Sequence, residues 1–178
     1  MAAEAVLVRN GPAGLTVRAV AEEAKIAPMS VYNRLDGKVG LVNVLLIRGF
    51  DRLRAALDAA HEPDPMERLL ECAIRYRLFA LENRNLYALM FENIVPREKD
   101  PAVGEHATGA FGALVRAVEL AAAARRIKAL DIREAAQQLW SAVHGAVELE
   151  LKGLVRTPDP EATYRALMGT MLRGLSRH

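Results

Sequence analysis

Apolar residues recur along this chain at steps of three and four. Between residues 131 and 154, Ile132, Ala136, Leu139, Val143, Val147, Leu151 and Leu154 make one continuous stripe at the helical period, with Asp131 placed as its N-cap. No stretch alternates apolar and polar residues as a half-buried strand does, so the pattern predicts an all-α protein. Turn signals fall at Asn10-Gly11-Pro12, Asp36-Gly37, Glu62-Pro63-Asp64-Pro65, Pro96 to Pro101 and Thr157-Pro158-Asp159-Pro160. Helices are expected in the gaps, near 3–9, 16–24, 28–35, 38–60, 65–83, 86–94, 102–126, 131–155 and 160–175. Three short helices enclose little core by themselves. Residues 1–60 therefore read as a small module with a linking helix, and residues 61–178 as a larger helical body, with the boundary near Pro63.

The stretch from Thr16 to Lys38, TVRAVAEEAKIAPMSVYNRLDGK, carries the most chemistry. Val17, Val20, Ala21 and Ala24 form one apolar face behind a Thr16 N-cap, and Lys25-Ile26-Ala27 makes a tight turn. Pro28 suits the first turn of the next helix, where its missing N–H costs nothing, and Val31 and Leu35 point that helix inward. Met29, Ser30, Asn33 and Arg34 are left on its outward face. Two short helices joined in this way make a helix-turn-helix, whose second helix enters the major groove of DNA. Ser30 and Asn33 offer hydrogen bonds to base edges and Met29 an apolar contact. Arg34 stands late on the helix, where phosphate or solvent suits it as well as a base. Tyr32 either grips a phosphate or packs its ring on the following helix, and Arg18 either touches the backbone or stays solvated.

From Gly11 to about Phe50 the chain resembles the TetR family of bacterial transcriptional regulators, whose motif runs from a Thr-capped helix through a small-residue turn to a Tyr-containing recognition helix ending before Lys. The resemblance implies that Thr16, Tyr32 and Lys38 hold the DNA backbone while Ser30 and Asn33 face the groove. The chain departs from the family at Leu35, where an aromatic is usual, and at Val39, where an acidic residue is usual. Its first helix is also shorter. Either the native chain starts upstream of Met1, or the module works with a stub helix that turns Val6 and Leu7, with or without Val8, inward. A second resemblance, to the C-terminal domain of one TetR subgroup, lies in WSAVHGAVELELKGL at residues 140–154. Such domains bind ligands and pair subunits, which implies a homodimer, a small-molecule effector and a double-stranded DNA operator.

Composition narrows the picture. With 52% apolar, 26% charged and 5% aromatic residues, the chain can bury a real core and is not a disordered one. Charges such as Arg48, Asp51, Arg68 and Glu148 interrupt every apolar segment, so no bilayer span and no membrane partner is expected. Cys72 is the single cysteine, which excludes an intramolecular disulfide and a thiolate metal cluster and fits the reducing cytosol. The N-terminal MAAEAVLVRN has no secretory pattern. Net charge is +2, and the excess sits in residues 1–60, which hold 8 Lys plus Arg against 6 Asp plus Glu. So small an excess neither demands nor forbids DNA contact.

Arg75, Tyr76, Phe79, Tyr87, Met90, Phe91, Trp140 and His144 form an apolar-aromatic set whose polar tips suit a ligand pocket as well as a core. His144 and Glu148 share an i, i+4 spacing but lack the further ligands a metal needs, so no metal and no cofactor is expected. Nucleotide-binding loops, a nucleophile elbow and a Cys–His pair are all absent, which leaves no catalytic residue to name and no enzyme to expect. The expectation is a homodimeric, ligand-responsive regulator in the cytoplasm, a repressor on a near-palindromic operator. It pairs through the helices near 131–155 and 160–175, with Leu151 and Leu172 on the interface. The alternative is a helical ligand-binding or interaction protein that has lost DNA binding with its truncated first helix.

Overall fold

The computed structural model describes residues 1–92, 100–128 and 131–176. Among the described residues there are nine helices and no strand: α1 (Ala2–Asn10), α2 (Val17–Ala24), α3 (Pro28–Leu35), α4 (Gly37–Asp58), α5 (Pro65–Glu82), α6 (Arg84–Phe91), α7 (Pro101–Ala123), α8 (Ile132–Leu151) and α9 (Pro160–Leu175). The protein is all-α, as the periodicity predicts. The end expected for the sixth helix near residue 94 lies outside the described residues.

Two helices end before the bounds expected for them, near 126 and 155, for the same reason. At the end of α7, Arg125 turns left-handed with φ 56°. The Arg126 N–H then donates to the Ala121 carbonyl at 2.9 Å, which closes the helix. At the end of α8, Gly153 takes φ 66°, and the Leu154 N–H donates to the Leu149 carbonyl at 2.8 Å. Leu154 belongs to the stripe in sequence but lies past the cap.

The chain groups into two compact units, each made of two segments: Met1–Arg52 with Asn83–Thr108, and Leu53–Glu82 with Gly109–His178. In the first unit, Ala3, Val6 and Leu7 of α1 are buried, whereas Val8 is 75% exposed. Of the stub helix's candidates, Val6 and Leu7 turn inward and Val8 does not; it follows Leu7 around the helix onto the solvent side. Glu4 of α1 pairs with Arg52 at 2.8 Å and Arg48 at 3.6 Å on α4. The Asn85 side chain of α6 donates to the Leu7 and Val8 carbonyls at 3.0 Å each; the Leu7 carbonyl also accepts from the Gly11 N–H at 2.9 Å, whereas residue 12 is a proline and has no N–H to offer Val8. Gly49 of α4 lets α6 approach, since a Cβ there would stand 2.6 Å from the Met90 sulfur.

In the second unit α5, α8 and α9 pack on one another. Arg77 of α5 is buried and forms a bidentate pair with Glu150 of α8, at 2.8 and 2.7 Å. Glu161 of α9 lies 3.6 Å from the same guanidinium, whose carbon stands 5.8 Å from the centre of the Tyr164 ring. The Tyr164 hydroxyl donates to the Ala73 carbonyl at 2.6 Å. Leu172, expected from sequence on a pairing surface, is 9% exposed and is counted in the core of this chain.

Arg77→Met keeps the apolar stem but leaves Glu150 without its partner. Urea unfolding should show a loss of about 3 kcal/mol, the low end for breaking a buried pair.

Candidate nucleic-acid interface

The helix-turn-helix is built from backbone requirements upward. The Thr16 hydroxyl accepts a hydrogen bond from the Ala19 N–H at 3.1 Å, which starts α2. Lys25 ends it in the left-handed region at φ 55°, and the Ile26 N–H donates to the Ala21 carbonyl at 3.0 Å. Ala27 then stands before Pro28 at the first turn of α3. Val17 and Ala21 of α2 pack on Val31 of α3, with Leu35 against them. Ala24, read as part of the same face, is exposed at the end of its helix. Arg9 of α1 reaches Glu23 of α2 at 2.8 Å and holds the first two helices together.

This packing leaves one set of side chains outside. Met29 is 65% exposed and Tyr32 53%; Thr16, Arg18, Asn33, Arg34 and Lys38 are exposed and Ser30 is half-buried. All eight lie in the same compact unit. Met29 with Asn33, and Ser30 with Arg34, are i, i+4 pairs along α3, so they line adjacent rows of the recognition helix. Chemically the arrangement offers an apolar contact, two amide or hydroxyl partners for base edges, and hydroxyls and cations for phosphates. Sequence reasoning read Gly37 only as a turn signal and gave Gly40 and Asn85 no role. A Cβ on Gly40 would fall on the Leu35 carbonyl oxygen, a close approach that an isolated glycine in a helical pattern can signal.

The aromatic set divides between the units. In the second unit the Trp140 indole N–H donates to the Tyr76 hydroxyl at 3.3 Å, and that hydroxyl lies 3.0 Å from Nδ1 of His144. Phe111 meets Trp140 edge-on at 6.0 Å. Phe79 is buried there, and Arg75 is paired with Glu71 at 2.6 Å. Tyr87, Met90 and Phe91 lie in the first unit, where Phe91 contacts Phe50 at 6.0 Å and Tyr87 at 4.8 Å. Burial holds the His144 imidazole below its usual value, against the opposing pull of Glu148. Glu148 is itself paired with Lys152 at 2.7 Å. Cys72 is buried and its thiol is pushed up to about 11, so it is a poor nucleophile. Among the described residues no group of three or more His, Cys, Asp or Glu side chains is placed to hold a metal. No helix among them is long and apolar enough to cross a membrane.

With this geometry in place, two family models match the chain. The model of bacterial regulatory proteins of the tetR family matches residues 1–45, and the tetracyclin repressor-like C-terminal domain matches residues 69–171. A solved structure of a protein of unknown function from Rhodococcus sp. RHA1 is 30% identical, with TM-score 0.88, over 98% of this chain and 92% of that one. A tetR-family regulatory protein from Rhodococcus RHA1 is 21% identical, with TM-score 0.73, over 99% and 94%. The regulator PfmR from Thermus thermophilus is 18% identical, with TM-score 0.73, over 98% and 97%; these last two share the fold. No curated protein matches the chain.

The depressed His144 sets a sign for the acid response. The unfolded chain, with histidine near 6.5, takes up protons that the folded imidazole refuses, so this share of stability is full above about pH 6.5 and is lost as pH falls below it. Urea unfolding at pH 7.5 and 5.5 should show a smaller acid loss for His144→Gln than for the unsubstituted protein.

Proposed function

Because the chain belongs to the tetR family of bacterial regulatory proteins, DNA-binding regulators of transcription, we propose that it is a ligand-responsive repressor that binds a near-palindromic operator as a homodimer. The observation that carries the reading is the sorting of α2 and α3: Val17, Ala21 and Val31 are buried together, while Met29, Tyr32, Asn33 and Arg34 are exposed. Residues 1–60 carry the DNA-binding surface, with α6 supporting it from later in the chain, and the rest of residues 61–178 bind the effector and the second subunit. Thr16, Arg18, Tyr32 and Lys38 hold phosphates, Ser30, Asn33 and Met29 read the groove, and Arg34 serves at its border. The ties from α1 to Arg48, Arg52 and Asn85 support a working head and speak against a reading in which a loose first helix abolishes DNA binding.

Pairing falls to α8 and α9. Leu149 is 51% exposed and Leu167 36%, and around them Ser141, Gly145, Ala166 and Thr170 are exposed, small enough for helices to approach closely. Two such helices per subunit suit a four-helix interface. A twofold dimer then presents its recognition helices to half-sites roughly 34 Å apart or a multiple of that. The effector binds in the second unit around Tyr76, Trp140 and His144, whose converging polar tips and aromatic walls suit a small, partly apolar molecule.

Two measurements check this reading. Tyr32→Ala and Lys38→Ala should weaken binding to every DNA sequence, with Lys38→Ala reducing the salt slope by roughly one, whereas Asn33→Ala should relax discrimination between sequences by about 1–3 kcal/mol. Unchanged affinity in all three at fixed salt removes the interface. For the dimer, light scattering at micromolar concentration should give twice the chain mass, and Leu149→Glu combined with Leu167→Glu should give a folded monomer. A monomer before substitution removes the pairing.

A further inference from the structure

We propose that Gly37 is a positioning residue for DNA contact: it is the seat on which the Tyr32 ring rests, and it fixes where the tyrosine hydroxyl stands. The proposal rests on the reading of Tyr32 as a contact to the DNA backbone.

The geometry starts with two consecutive left-handed residues, Asp36 at φ 52° and Gly37 at φ 70°. The Asp36 N–H donates to the Tyr32 carbonyl at 3.0 Å. The chain thus turns back over the residue whose ring it then meets. A Cβ on Gly37 would stand 2.9 Å from Cε1 and 3.0 Å from Cδ1 of Tyr32, so one ring edge lies against the glycine with no room for a methyl group. Gly37 is buried while Tyr32 is 53% exposed; the ring is covered along that edge and open elsewhere. Tyrosine has two side-chain torsions, so a fixed ring edge fixes the hydroxyl as well. The seat in turn is fixed to α4. One turn on, Gly40 admits the end of α3, and a Cβ there would stand 2.6 Å from the carbonyl carbon of Leu35.

A side chain at position 37 has a cheap escape, because the atoms it meets belong to an exposed ring that can swing into solvent. The head then stays folded, and the hydroxyl loses its place. Tyr32 becomes a mobile side chain that must be ordered again each time DNA binds, at a cost in rotamer freedom.

The test is a double-mutant cycle on an operator selected from random duplex DNA by the unsubstituted protein, with affinities measured at fixed salt and folding checked by circular dichroism. Gly37→Ala and Gly37→Asn are both used. Asparagine tolerates the left-handed backbone better than alanine does, yet carries the same Cβ into the ring. Each should lower affinity by up to about tenfold, the scale of one neutral hydrogen bond, and neither should cost more than about twofold further in the Tyr32→Ala background. Incorporated 3-fluorotyrosine gives a readout independent of DNA. The signal of residue 32, identified by its loss in Tyr32→Phe, should shift with either substitution while those of the other three tyrosines stay in place. Equal losses in both backgrounds, or an unmoved signal at residue 32, overturn the seat and leave the Tyr32 contact standing. No loss of affinity in Tyr32→Ala itself removes the DNA role from both residues.

Discussion

A helix of nine residues has too little surface to hold itself in place, and the first unit depends on how that limitation is met at α1. Isolated helices of this length are marginal in water, because the cost of nucleation is spread over too few hydrogen bonds. Burying Ala3, Val6 and Leu7 supplies an apolar anchor. The rest is polar and comes from outside the helix: Arg48 and Arg52 on Glu4, Glu23 on Arg9, and the Asn85 amide on the last carbonyls. Surface ion pairs are individually weak. The Asn85 amide is worth more, since without it the Val8 carbonyl needs water.

The second unit solves a different problem. Its three packed helices meet at a cation that can lose bulk water only if charge and hydrogen bonds replace it. Glu150 takes the guanidinium edge, Glu161 adds a second negative charge from α9, and the Tyr164 ring faces the same group. Arg77 of α5 thereby touches residues of both α8 and α9 at one point. Tyr164, with its proton held far above the usual range by burial, stays a donor to Ala73 at any physiological pH.

The helical plan was legible because each stripe keeps its period and each break carries a turn residue. What escaped was what periodicity does not encode. Val8 follows two buried residues and is apolar, yet its angle around the helix sends it outward, and a stub of one or two turns gives too few positions to fix that angle. Gly153 marks the end of α8 in plain letters, whereas Arg125 ends α7 in the same conformation with no signal in the sequence. Leu172 and Leu149 are both leucines on late helices, and only packing tells core from surface. The aromatic set shows the limit most clearly. Tyr76 and Tyr87 each stand on an apolar face, but the chain returns from α5 to the first unit at Asn83, so neighbours in sequence become members of different units. The recognition helix was easier, because its chemistry is local: a cap, a turn and an outward row lie within about twenty residues.

That return of the chain bears on how such heads are inherited and made. The carbonyls of Leu7 and Val8 are answered from a residue 78 and 77 positions away, and the groove at Gly49 is filled by Met90. A segment cut after residue 60 would therefore carry the reading surface without the piece that closes it. Recombination that moves a head onto a foreign body has to bring α6 along or supply a helix with an amide at the same place. The same holds in time as well as in lineage: on a growing chain the recognition helix is made early, but its support is finished only when the sixth helix follows, so the head matures late despite lying first.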